Sequence, residues 1–197
     1  VKEEIITTAL SQFLQNGIRN MGMQKIALAM GISTKTLYKH FADKEALLKA
    51  CLMLHYGGMD SDITTLIGRE PNPVALVFNL YARSAALDFG VNYLFYHDLN
   101  HYYPELQDKV ISRFFGHLGP VMTQNIEKGI SEGYFLSGLQ PEIVFKALSV
   151  LYQSVTRQDT YTHYKLNSSG LVNHTINIYL RGMCTQKGLE IINQLNK

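Results

Sequence analysis

Residues 23–44 read Met23-Gln-Lys-Ile-Ala-Leu-Ala-Met-Gly-Ile-Ser-Thr-Lys-Thr-Leu-Tyr-Lys-His-Phe-Ala-Asp-Lys44, and this stretch decides the fold. Ala27 is small enough to let two helices cross closely. Gly31, four residues on, supplies a tight turn, and Leu37 plugs the angle between the helices. Such a helix-turn-helix places its second helix in the major groove of DNA.

Outward from that unit the periodicity stays helical. Ile5, Ile6, Ala9, Leu10, Phe13 and Leu14 recur at three- and four-residue steps, and Gly17 is placed to end that first helix. A second helix is expected over about Met23–Met30. Ser33 caps a third over Thr34–His40, and Asp43 caps a fourth carrying Leu47, Cys51 and Leu54 on one face. Short helices are marginal alone and need the first and fourth as packing partners. Residues 1–56 are therefore expected to form one helix-turn-helix DNA-binding domain, and residues 57–197 a helical effector-binding and dimerisation domain. Gly57-Gly58 predicts a bend or stop in the fourth helix. Beyond Pro73, which suits a first helical position behind Asn72, helices are expected near 73–88, 90–102, 104–133, 141–159 and 170–194, with Gly116 and Gly119-Pro120 kinking or splitting the third. No strand-like alternation persists. The fold class is all-α.

The third helix presents Thr34, Lys35, Thr36, Tyr38, Lys39 and His40 around Leu37 and Phe41. Hydroxyls and a tyrosine suit phosphate oxygens and thymine methyls, and lysine suits the acceptor pair of guanine. Gln24 reaches an adenine edge or a phosphate, and Lys44 sits at a helix N-terminus that favours a phosphate. The net charge of +2 is uninformative, but its placement is not. Residues 1–50 hold seven Lys and Arg against four acids, and the remainder eleven against twelve. Positive charge gathers where a phosphate-facing surface needs it.

The run Ile26-Ala27-x-x-Met30-Gly31-Ile32-Ser33-x-x-Thr36-Leu37-Tyr38-x-His40-Phe41-x-x-Lys44-Glu45-x-Leu47 resembles the N-terminal signature of the TetR family of bacterial regulators. The likeness covers about residues 1–56. It implies an all-α dimer of nine or ten helices per chain, with operator DNA bound by the first three and an effector pocket in the variable remainder. Carried over residue by residue, the contacts to DNA are Gln24, Ser33, Thr34, Lys35, Thr36, Tyr38, Lys39, His40 and Lys44. The family usually opens the second helix with Thr or Ser. Here Met21-Gly22-Met23 stands instead, so a hydroxyl–phosphate contact is lost and binding leans on the lysines, with a steep salt dependence.

Ligand pockets are apolar cavities with a few convergent polar groups. The second domain is rich in aromatics, most of them ordinary core, and Tyr81, Tyr93, His97, His117, Tyr152 and Gln153 are the polar side chains expected to line such a pocket. No cluster of carboxylates or arginines stands among them, so a largely apolar small molecule is the expected effector. The last two helices are apolar on more than one face, through Val144, Ala147, Leu148, Leu151, Val155, Val172, Ile176, Tyr179, Leu180 and Met183. That breadth predicts a homodimer, which presents two recognition helices to a palindromic operator.

His97 and His101 share a helical face as zinc pairs do, but no third ligand stands nearby, so a helix-end polar cluster and no metal is the reading. Cys51 and Cys184 are isolated, which suggests two reduced thiols. No cofactor is implied. Arg83, Asp88 and Asn92 interrupt the most apolar region, excluding a bilayer span there, and the N-terminus lacks the apolar core of a signal peptide. A cytoplasmic, ligand-responsive repressor is expected, coupled through the fourth helix near Gly57-Gly58. The rivals are a DNA-binding regulator without an effector and an all-α enzyme or ligand carrier using His97 or His117. No nucleophilic triad, phosphate loop or paired-carboxylate motif supports the enzyme.

Overall fold

Helices begin and end where the chain supplies caps. The computed structural model describes residues 1–156, 161, 163, 164 and 166–195, and among these the fold is built from twelve helices. Helix α1 (Lys2–Asn16) stops at Gly17, whose φ of 79° is a left-handed value that glycine adopts without strain. Helices α2 (Met23–Ala29) and α3 (Thr34–His40) flank Gly31 at φ 66°. Ser33 caps α3 by accepting the Thr36 N–H at 3.1 Å. Helix α4 (Lys44–Arg69) starts behind Asp43, whose carboxylate accepts the Ala46 N–H at 2.7 Å. Asn72 caps α5 (Pro73–Asp88) and Asn92 caps α6 (Tyr93–Tyr102) in the same way.

The glycine pair does not stop α4, which runs on to Arg69. A bare Cα at Gly57 lets the Phe114 ring come within 3.4 Å of where a Cβ would stand. Packing of this kind offsets a propensity cost of about 1 kcal/mol per glycine. The stretch 104–133 splits at Gly116-His117 into α7 (Pro104–Phe115) and α8 (Leu118–Ser131), as expected. Helix α9 spans Pro141–Thr156, and residues 157–159 of the expected helix lie outside the described residues.

The single last helix expected over 170–194 is instead three: α10 (Ser168–His174), α11 (Ile176–Met183) and α12 (Gln186–Leu195). Thr175 breaks the first junction with φ −130° and ψ −87°. Cys184 breaks the second by turning extended to bridge Phe135, with the Leu136 N–H on Met183 O at 3.0 Å and the Thr185 N–H on Tyr134 O at 2.9 Å. A backbone pairing with a distant loop leaves no trace in local periodicity. That bridge is isolated, and no β-strand forms among the described residues.

The chain divides into two compact units: Val1–Asp60 with Gly90–Phe114, and Ser61–Phe89 with Phe115–Lys197. This differs from the boundary expected at residue 56, because α6 and most of α7 join the helix-turn-helix. The first unit is sealed around Ile5, Phe13, Ile26, Leu37, Leu48 and Phe95. The second has its own core, including Val77, Leu80, Met122, Leu148, Ile176 and Leu180. Among the described residues no single helix is long and apolar enough to cross a membrane.

Candidate nucleic-acid interface

Helix α3 turns one face inward and leaves the rest outside. Leu37 is completely buried and Phe41 nearly so, while Lys35, Lys39 and His40 are exposed and Tyr38 leaves 53% of its surface in solvent. Thr34 and Thr36 are half-buried, and Ser33 and Gln24 are exposed. The Ser33 hydroxyl also lies 2.8 Å from that of Thr36, so capping and presentation share one residue. The Ile32 N–H closes the turn on Ala27 O at 3.0 Å. Cationic, hydroxyl and aromatic side chains thus stand on one short helix, spaced to meet phosphates and base edges.

The end of α1 and the loop leading to α2 are held by α6, a helix expected from the sequence to belong to the second domain. The Asn92 N–H donates to Leu14 O at 2.7 Å and its side-chain amide to Gln15 O at 2.9 Å. Asp98, 4% exposed, accepts the Arg19 N–H at 2.7 Å. The Arg19 guanidinium donates to Tyr102 Oη at 2.7 Å and lies 4.6 Å from that ring's centre. At Gly17 a Cβ would meet Leu94 Cβ at 2.9 Å, so α6 closes directly on the end of α1. The available signal was Asp98 itself, an acid among Phe95, Tyr96 and Leu99.

Lys44 donates to Ile18 O at 2.6 Å, on the same loop that Asp98 holds. Burial lowers the Lys44 pKa; nearby Asp98 opposes the shift and Arg19 adds to it. Its ammonium therefore has one of three donors committed inside the unit, and reaches a phosphate only with the others.

Residues 5–51 match the family model described as bacterial regulatory proteins, tetR family. Over that stretch the chain carries a TetR-family DNA-binding domain. Solved structures share the fold of this chain over nearly its whole length. A transcriptional regulator from Saccharomonospora viridis in complex with choline aligns with a TM-score of 0.79 at 14% identity, covering 94% of this chain and 98% of that one. FadR from Bacillus subtilis in complex with stearoyl-CoA gives 0.72 at 17% identity, covering 92% and 98%. The ketosteroid transcriptional regulator of Mycobacterium tuberculosis gives 0.69 at 19% identity, covering 94% and 95%. No curated protein sequence matches the chain.

Of the six pocket residues expected from the sequence, Tyr81 and Tyr152 are brought together, their ring centres 5.8 Å apart in the second unit. Burial raises the Tyr81 pKa, against a smaller lowering by a hydrogen bond with Ser149, so its hydroxyl stays protonated. The Tyr152 hydroxyl donates to Asp88 at 2.5 Å, and Asp88, which the sequence reading passed over, is completely buried. His117 and Gln153 are exposed, and Tyr93 and His97 stand on α6 in the first unit with much of their surface in solvent.

The residues expected to meet a second chain also sort differently. Val144, Leu148, Val155, Val172, Ile176, Leu180 and Met183 are buried within the chain's own second unit. The apolar groups left outward are Ile143, Val150, Ile178 and Tyr179, and Ala147 and Leu151 line a shallow groove beside them.

Proposed function

We propose that this regulator is a cytoplasmic homodimeric repressor that occludes a palindromic operator and is released by a small, largely apolar effector. The observation that carries the reading is the outward face of α3, with Lys35, Tyr38, Lys39 and His40 exposed around a sealed Leu37. Gln24, Ser33, Thr34, Thr36 and, with part of its ammonium, Lys44 complete the proposed DNA contact. The outward face of α9 and α11 supports pairing of two chains through the last helices, since Ile143, Val150 and Ile178 are each more than half exposed. A two-fold dimer then sets two α3 helices one or two DNA turns apart.

For the effector, the support is the buried aromatic interior around Tyr81 and Tyr152, with Asp88 as a polar anchor. Solved structures of the same fold hold small molecules, choline in one and stearoyl-CoA in another, which supports a ligand-responsive reading. Effector binding favours a dimer whose reading heads are wrongly spaced, with a coupling of about 1–3 kcal/mol.

The test is a mobility shift against fragments selected from the source genome, comparing the parent with Tyr38→Ala and Lys39→Ala. Each substitution should weaken binding by about 1–3 kcal/mol without moving the melting temperature, since both side chains lie outside the core. Unchanged affinity in both variants removes α3 as the reading element.

A further inference from the structure

We propose that His97 and His101 form an open two-histidine site for a divalent transition-metal ion of the zinc, nickel or copper class. The two residues lie one turn apart on α6, and their rings are stacked, with centres 5.3 Å apart and planes within 9° of parallel. Both are exposed, so both ring edges are open to solvent. Both side chains rotate to bring a nitrogen of each parallel ring to about 2.0–2.1 Å from one ion.

A second observation fixes which nitrogen is offered. His97 Nδ1 faces Asp98 Oδ1 at 3.6 Å. A carboxylate on that side favours the tautomer with its proton on Nδ1, which leaves the Nε2 lone pair for a metal. Asp98 does not swing away, because it is buried and accepts the Arg19 N–H at 2.7 Å. His101 is backed by the Tyr102 ring, 5.5 Å away at 62°. The nearest guanidinium, that of Arg19, is occupied by the Tyr102 hydroxyl and ring face.

Imidazole suits zinc, nickel and copper, and magnesium and calcium prefer oxygen. Among the described residues no group of three His, Cys, Asp or Glu converges to hold a metal. Two imidazoles therefore supply the protein ligands and water completes the shell, which places the affinity in the micromolar range. The ion would sit on the helical turn whose Asp98 and Tyr102 hold Arg19, so metal loading stiffens a turn that braces the reading helices.

Tag-free full-length protein is titrated with nickel chloride by calorimetry, and the same samples are followed by amide NMR, where the paramagnetic ion broadens its neighbours. One saturable equivalent is expected, weakened about tenfold or more in His97→Ala and in His101→Ala. Binding should be unchanged in His174→Ala, which removes another exposed histidine. The amide signals of Asp98 and Tyr102 should broaden first, and circular dichroism should stay constant across the variants. Absence of saturable binding, parental affinity in either the His97→Ala or the His101→Ala variant, or broadening centred elsewhere overturns the site.

Discussion

Gly22 is the residue at which this chain departs most plainly from the TetR-family pattern that its N-terminal segment resembles. It caps α2 with φ −84° and ψ 164° but has no side chain to accept a helix N–H. Those angles are ordinary for any residue, and nothing lies within 4 Å of where its Cβ would stand. Gly22→Thr should therefore add stability, about 0.4–1 kcal/mol by narrowing the unfolded ensemble. It should also tighten operator binding by restoring a hydroxyl beside a phosphate. Thermal melts and mobility shifts read the two effects separately. The cysteines carry a second prediction at this scale. Burial pushes the Cys51 thiol up to about 12 and the Cys184 thiol up to about 11. Unfolded, both ionise near about 8.5. Between those limits the unfolded chain binds fewer protons than the folded one, so stability falls as pH rises. The unfolding free energy from urea titrations should drop between about pH 8 and pH 10, by up to about 1.4 kcal/mol per pH unit for each thiol. Cys51→Ala should flatten the slope.

Among elements, α6 matters beyond what its composition suggests. Asn92, Asp98 and Tyr102 hold the end of α1 and the loop leading to α2, so the reading helices hang from a brace outside their own segment. Asp98→Ala removes the charged acceptor of the part-buried Arg19 N–H, and should cost about 1.5–3 kcal/mol in urea denaturation. Asp98→Asn keeps a carbonyl oxygen there and should cost less. The same comparison shows which elements were legible in the sequence. Helix α3 was read to the residue because Ser33, Leu37 and Phe41 give cap, core and stop within one short stretch. Asn72 announced α5 through the same local chemistry, whereas α6 begins at Tyr93 behind an Asn92 cap rather than at residue 90 as expected. Continuation of α4 through Gly57-Gly58 was not legible, because the compensating Phe114 lies far along the chain. Neither was the break at Cys184, which depends on pairing with Phe135. The candidate site divides on the same line. The residues proposed to face DNA are local and periodic, whereas Asp88 and Asp98 acquire their hydrogen-bond partners only from positions distant in sequence.

For the whole molecule the question is which apolar surface remains once each unit has closed. From sequence, Val144, Ala147, Leu148, Leu151 and Val155 of α9 and Ile176, Tyr179, Leu180 and Met183 of α11 were the candidates for a partner chain, since helical wheels do not say which of two faces its own fold consumes. The fold consumes the face with Leu148, Ile176 and Leu180, and leaves Ile143, Val150 and Ile178 in water. Val150→Glu tests the proposed pairing cleanly. The position is 55% exposed, so within one chain the change should alter stability by no more than about 0.5 kcal/mol. Across a two-fold axis, however, the same substitution places two new carboxylates in an apolar patch, where their desolvation is unfavourable. Analytical ultracentrifugation should show a folded monomer at concentrations where the parent is dimeric. Operator affinity should collapse with it, because a single α3 helix engages one half-site and loses the second as an intramolecular event. A Val150→Glu protein that remains dimeric and still binds operator at the parental concentration would place the pairing surface elsewhere than on α9 and α11.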